Sequence, residues 1–129
     1  MKPRLNTSYP GTPTGVGDAR REVTAVARDC GFARVKLNDI KLAVSEAATN
    51  VVVHAYASAS GEIHVRAGIE RRDFVVVIGD DGPGMVPRAD SPGLGLGLPM
   101  ITTVADRVEV VSEGRGCEVH MAFRLPDAR

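Results

Sequence analysis

The segment Leu37 to Tyr56 constrains this chain more than any other. Ile40, Val44, Ala47, Val51 and Ala55 recur at helical spacing and form one apolar stripe. The segment therefore predicts a long amphipathic helix that must bury this stripe against another element. Asn38 is placed to cap it, and Asp39 favours its positive end. A second helix is predicted over Asp18 to Cys30, from Val23, Val26 and Ala27, with Asp18 as its cap and Gly31 as its stop. The surface offered to both is β-structure. Glu62 to Glu70 and Phe74 to Gly79 read as strands joined by the Arg71-Arg72-Asp73 turn. Arg107 to Glu113 and Cys117 to Leu125 read as a second pair, joined by Gly114-Arg115-Gly116.

Between the pairs, Asp80 to Gly97 is dense in Gly, Pro and Asp and reads mostly as loop, followed by a short helix over Leu98 to Ala105 with Pro99 in its first turn. Ser58 to Gly61 reads as a turn. Residues 1–17, rich in Gly, Pro, Thr and Ser from Asn6 onward, read as an irregular N-terminal arm. Strand pairs closed by tight turns, with helices between them, predict an α+β fold. Its form is a two-layer α/β sandwich, a mixed and mostly antiparallel sheet with helices on one face.

The 129 residues suit one domain spanning 1–129, and with no Trp the core must come from aliphatic side chains. Lys and Arg number 16, as do Asp and Glu, so the formal charge is zero. No cationic excess is left for phosphate neutralisation, which argues against nucleic acid as a partner, and there is no polybasic face for an anionic membrane. The N-terminus has no apolar stretch behind its basic residues, and no apolar run approaches the length of a membrane span. The expectation is a cytoplasmic protein. Cys30 and Cys117 make neither a Cys-x-x-Cys pair nor a metal set, and read as free buried thiols.

Three constellations carry chemistry. Glu46, Asn50 and His54 are spaced four apart on the long helix and form a column bordering the apolar stripe. Such a column is either a solvated polar edge or the wall of a cleft. Asp80-Asp81-Gly82-Pro83-Gly84 follows an apolar strand directly. It is either a plain turn or a carboxylate fixed at a strand end, with glycines that let a planar base approach the backbone. Gly93-Leu94-Gly95-Leu96-Gly97-Leu98 leads into the last helix and can turn free N–H groups toward an anion. Its spacing is neither that of a dinucleotide fingerprint nor that of a P-loop.

In this order, the three resemble the Bergerat-fold ATPases, the superfamily of gyrase, heat-shock chaperones, mismatch-repair ATPases and histidine kinases. The resemblance covers about Asp18 to Leu125. Ser45-Glu46-Ala47-Ala48-Thr49-Asn50 with His54 looks like the asparagine box, Asp80-x-Gly82-x-Gly84 like the adenine box, and Gly93 to Gly97 like the second glycine box. The wording around Glu46 and Asn50 is most similar to the bacterial anti-sigma-factor serine kinases. Gly95-Leu96-Gly97-Leu98-Pro99 is similar to the related switch kinases of stress signalling. Neither a transducer domain nor a phospho-acceptor helical hairpin is seen in these residues. That speaks against a gyrase, chaperone or mismatch-repair role and against a complete histidine kinase.

The resemblance implies ATP with Mg²⁺ as cofactors. Asp80 would receive the adenine amine, with Gly82 and Gly84 giving the base room. Asn50 would be the metal ligand. Gly93, Gly95, Gly97 and Leu98 would line the phosphates, and Glu46 would be the catalytic base toward a Ser or Thr hydroxyl. His54 either touches a phosphate or closes the helix face. The implied activity is that of a serine/threonine protein kinase acting on an anti-anti-sigma protein and sequestering a sigma factor, as a homodimer. A nucleotide-dependent binding switch with little kinase activity is the alternative. Two departures bear on it: Met85 to Pro92 is shorter than the usual lid of the anti-sigma kinases, and Cys117 stands where the family often has an adenine-holding Thr.

Overall fold

The computed structural model describes residues 1–55, 61–81, 97–112 and 116–127, the side chains of residues 54, 55, 97 and 98 excepted. Five strands, β1 (Lys2–Pro10), β2 (Glu62–Glu70), β3 (Asp73–Asp80), β4 (Arg107–Val111) and β5 (Cys117–Arg124), form one sheet in the order β1-β2-β3-β5-β4. Every pairing among them is antiparallel, where the sequence predicted a mixed and mostly antiparallel sheet. The helices are α1 (Pro13–Asp29), α2 (Arg34–Asn50) and α3 (Gly97–Val104).

Alternation along the strands decides which face they cover. Ile63, Val65 and Ala67 of β2, Phe74, Val76 and Ile78 of β3, and Val119, Met121 and Phe123 of β5 share one buried core. Val23 and Ala27 of α1, Ile40, Val44 and Ala47 of α2, and Ile101 of α3 join them there. The stripe read from the sequence is the face that α2 buries. Phe32, in the α1–α2 connection, meets the Phe74 ring edge to face at 5.8 Å, which seats the helix layer on β3.

The N-terminal arm is a correction. Lys2–Pro10 is an edge strand paired with β2 from Lys2↔Ile69 to Pro10↔Glu62, with a bulge between Pro3 and Leu5. An edge strand tolerates prolines because one side of its ladder needs no donors. Tyr9 is buried on the inner face and donates to the Glu22 carboxylate at 2.9 Å, which ties the strand to α1. Burial and the Glu22 carboxylate push its hydroxyl far above the usual tyrosine range. Helix α1 then starts five residues earlier than expected. Thr12 is the N-cap, accepting from the Gly15 N–H at 3.2 Å, with Pro13 at the first helical position. Gly15 is demanded by space: a Cβ there would lie 1.7 Å from the Pro10 carbonyl oxygen. Asp18 is not a cap but an exposed-face partner of Arg21. Gly31, with φ of 94°, closes the helix as expected.

Helix α2 is also longer at its start, and Asn38 does not cap it. Ala33 occupies the cap position with no side-chain bond. Phe32 just before the cap and Leu37 at the fourth helical position are both buried, the arrangement of a hydrophobic staple. Apolar burial, not a polar cap, sets this helix end. At the other end, α2 is regular only to Asn50 and continues as a π-helical turn over Val51–Ala55. Tyr56, the Ser58–Gly61 turn apart from Gly61, the loop after Asp81 and the turn over Glu113 to Arg115 lie outside the described residues.

Candidate nucleotide site

Glu46 and Asn50 stand one turn apart on α2, both half-buried, at the margin of its apolar face. Past Asn50 the backbone widens into a π turn over Val51–Ala55, which carries the backbone of His54. Single π turns occur often at functional sites, where they redirect side chains without ending the helix. The π turn packs on β3, and α2 itself packs on both β3 and α3. Helix α2 therefore touches the elements that carry the other two candidate segments.

Asp80 is the last residue of β3, half-buried, and pairs across the ladder with Cys117, the first residue of β5. Directly opposed residues of an antiparallel pair share a face, and this pair lies on the face that carries the helices. Gly116 makes the close approach possible. It adopts φ of 87°, and a Cβ there would lie 2.2 Å from the Asp80 carbonyl oxygen. A cavity of about 390 Å³ opens at this corner, bounded among the described residues by His64, Gly79, Asp80, Asp81, Gly116 and Cys117, with Val111 and Glu118. That volume falls in the range of small-molecule sites. His64, Gly79, Asp81, Val111 and Glu118 belong to the face of the sheet away from the helices, and Glu46 and Asn50 are not in the described lining.

Cys117 is buried, and its thiol is pushed up to about 11, first by burial and then by the Asp80 and Glu118 carboxylates. It is a protonated, weakly polar group at neutral pH. Both cysteines are free, as expected, although Cys30 is only partly buried. Gly97 and Leu98 form the first turn of α3, which begins one residue before the expected boundary. Gly82, Gly84, Gly93 and Gly95 lie outside the described residues, as does the side chain of His54.

Sequence reading missed a hydrogen-bonded chain beside this corner. Ser8 Oγ lies 2.7 Å from His64 Nδ1, and His64 Nε2 lies 2.6 Å from the Asp81 carboxylate. Nothing local marks these three residues; Ser8 and His64 are brought opposite each other by the β1–β2 register.

The profile of the histidine kinase-like ATPase domain matches residues 9–123, and the chain belongs to this family. Among curated relatives it is 32% identical over 122 residues to the serine-protein kinase RsbW of Bacillus licheniformis, covering 82% of this chain and 76% of that one. It is 30% identical over 115 residues to the anti-sigma F factor of Clostridium acetobutylicum, covering 80% of each. Among solved structures, the RsbU and RsbW domains of Rv1364c from Mycobacterium tuberculosis superpose over 100% of this chain with a TM-score of 0.75 at 22% identity. This chain spans 34% of that two-domain structure. A blue-light activated histidine kinase domain from Erythrobacter litoralis shares the fold with a TM-score of 0.58 at 20% identity, over 87% of this chain and 60% of that one. The chain is thus an RsbW-like and anti-sigma-factor-like member of the family. Among the described residues, no helix is long and apolar enough to cross a membrane.

Proposed function

We propose that this chain is an ATP-dependent serine/threonine protein kinase that phosphorylates an anti-anti-sigma partner and thereby controls its own hold on a sigma factor. One observation carries the reading: α2, bearing Glu46 and Asn50 one turn apart, packs on the strand that ends in Asp80, on the same face of the sheet as the Asp80 side chain. Relatives named as serine-protein kinases and an anti-sigma factor support the activity and the partner class.

The residues fit the cofactors that the family implies. Asp80 supplies a half-buried carboxylate on the face that carries the helices, a proper acceptor for an exocyclic amine. Asn50 offers a half-buried amide oxygen, the hard ligand type that Mg²⁺ accepts alongside phosphates and water. Bound Mg²⁺ and ATP would supply the transferable phosphoryl group and the neutralisation of its charge. Gly97, at the start of α3, lends backbone N–H groups toward phosphate. Glu46 accepts the proton of an incoming Ser or Thr hydroxyl, and a base so placed contributes about 10² to 10⁴ in rate. The partner protein brings that hydroxyl in a folded surface, since a chain of zero net charge has no field to capture a charged peptide.

The test separates the two α2 residues. Glu46→Gln keeps the side chain's size and removes its basicity. Mg·ATP binding should stay within a few-fold while transfer to the cognate partner falls by about 10² or more. Asn50→Ala should weaken Mg²⁺-dependent binding and transfer together. Phosphotransfer from labelled ATP and calorimetric affinity give both readings. Transfer by Glu46→Gln at the parental rate would remove Glu46 as base. Binding without transfer in the parent protein would leave a nucleotide-dependent switch.

A further inference from the structure

A groove of about 710 Å³ runs between α1 and α2 on the side turned away from the sheet. Arg20, Arg21 and Arg28 of α1 and Lys41 of α2 bring four exposed cations to its walls, and no carboxylate is in its described lining. In a chain of zero net charge this is a local imbalance. Asp18 pairs with Arg21, but among the described residues no ion pair holds Arg20, Arg28 or Lys41. Between the cations lie apolar groups, Ala25 and the 39% exposed Leu42. Val35, two turns before Leu42 on the same stripe of α2, is 76% exposed. At one end Arg20 Nη1 donates to Ser45 Oγ at 3.4 Å, so the groove closes beside Glu46, the next residue of α2. Lys41 and Leu42 stand one turn along α2 from Ser45, and Arg28 stands about two turns along α1 from Arg20. From Gly17 to Arg28 the groove spans about 16 Å, the length of three helical turns.

We propose that this groove is a docking surface for the protein substrate, and that its occupant is an acidic amphipathic helix on the folded surface of that protein. The proposal rests on Glu46 as the base of a protein kinase. Carboxylates of the docked helix meet Arg28 and Lys41, and an apolar side chain between them covers Leu42 and Ala25. The field of exposed cations fades within about 8 Å at physiological salt, so they fix a partner already in contact and draw no peptide from solution. A nucleic-acid backbone fits less well, because it has no apolar group to set on Leu42 between the cations. A protein held along the groove has its adjoining segment at Ser45, next to the base.

Steady-state phosphotransfer tests it, with the melting temperature of each variant as a control for folding. The substrate is the anti-anti-sigma protein of the same genome that the parental chain phosphorylates with the highest kcat/KM. Arg28→Glu and Lys41→Glu should each raise KM for that protein about three- to tenfold, leaving kcat and the calorimetric affinity for Mg·ATP unchanged. Leu42→Gln should raise KM about threefold, and Arg28→Lys, which keeps the charge, should stay near the parental value. Arg72→Glu, an equal change of net charge in the exposed β2–β3 turn, should leave KM as it was. Added salt should raise the parental KM more than that of the Arg28→Glu/Lys41→Glu double variant. Parental KM in Arg28→Glu and Lys41→Glu overturns the docking surface and leaves the kinase reading standing. An equal rise in Arg72→Glu, a rise confined to variants with lowered melting temperature, or a matching loss of Mg·ATP affinity overturns it as well. A labelled DNA duplex that binds the parental chain and is released by Arg28→Glu, at unchanged KM, gives the groove to nucleic acid instead. Absence of transfer from the parental chain to every anti-anti-sigma protein of the genome overturns the kinase reading and the docking surface with it.

Discussion

Strand β3 begins and ends with an aspartate, and its two ends have been put to different uses. At the start, Asp73 is 6% exposed and held by Arg107 Nη1 at 2.9 Å and Arg124 Nε at 3.3 Å. Two guanidinium groups neutralise it, and the neighbouring Asp106 accepts the Arg124 backbone N–H at 2.7 Å. At the other end, Asp80 is half-buried on the face that carries the helices and faces a buried thiol across the ladder. A buried carboxylate closed in by cations stabilises the sheet but offers a ligand nothing. A half-buried carboxylate at a strand end is not closed in by two guanidinium groups in this way. Residue type and strand are the same, so only the surroundings tell the structural aspartate from the one suited to binding.

Exchanging the side chain at each end breaks the comparison if it is wrong. The largest effect belongs to Asp80. The parental protein should prefer ATP to GTP about ten- to hundredfold, because guanine sets a carbonyl against the Asp80 acceptor and leaves polar groups unpaired. Asp80→Ala should lose that preference and most of its ATP affinity while its denaturant midpoint stays close to the parent's. Equal parental affinities for the two nucleotides would sink the assignment.

Asp73→Ala should do the opposite. Removing the carboxylate that two arginines share should lower stability by about 1–2 kcal/mol, read from urea midpoints at unchanged slope. The loss is bounded because both guanidinium groups are mostly exposed and regain water. Nucleotide affinity measured below the unfolding range should be unaffected. A drop in affinity larger than the drop in stability would mean that the two ends are coupled through the strand.

The smallest effect concerns Cys117. Its thiol is raised to about 11 from an ordinary 9.0, so in the native protein the reactive thiolate is scarce at pH 8 and its alkylation should keep accelerating up to about pH 11. In the unfolded chain the same rate should level off near pH 9. Mass-resolved iodoacetamide labelling of Cys117 against pH, in buffer and in denaturant, makes the measurement. Coincident profiles would show that the corner is open to water. A profile displaced upward would support a dry pocket in which the thiol is a poor substitute for a hydroxyl toward the base.

Much of this molecule could be read along the chain. The bounds of β2 were legible in full and those of β3 to one residue at each end, because alternation in β2 and a continuous apolar run in β3 are properties of neighbours in sequence. The apolar stripe of α2 and the stop at Gly31 were legible for the same reason, as were Glu46, Asn50 and Asp80 as a candidate set. The early start of α1, with its Thr12 cap and Pro13, is a local feature that was missed, and other missed features depend on partners distant in the chain. Lys2–Pro10 has the composition of a loop and becomes a strand because β2, some fifty residues away, supplies its hydrogen bonds. The early start of α2 follows from burying Phe32 against Phe74. The π turn comes after Asn50, where the apolar periodicity alone predicts an unbroken helix. Local pattern thus determined which residues were apolar, which could turn and which carried chemistry. The tertiary register decided that Asp73 meets two arginines and Asp80 a buried thiol, and that His64 falls between Ser8 and Asp81, since a cross-strand neighbour is chosen by pairing and not by distance along the chain.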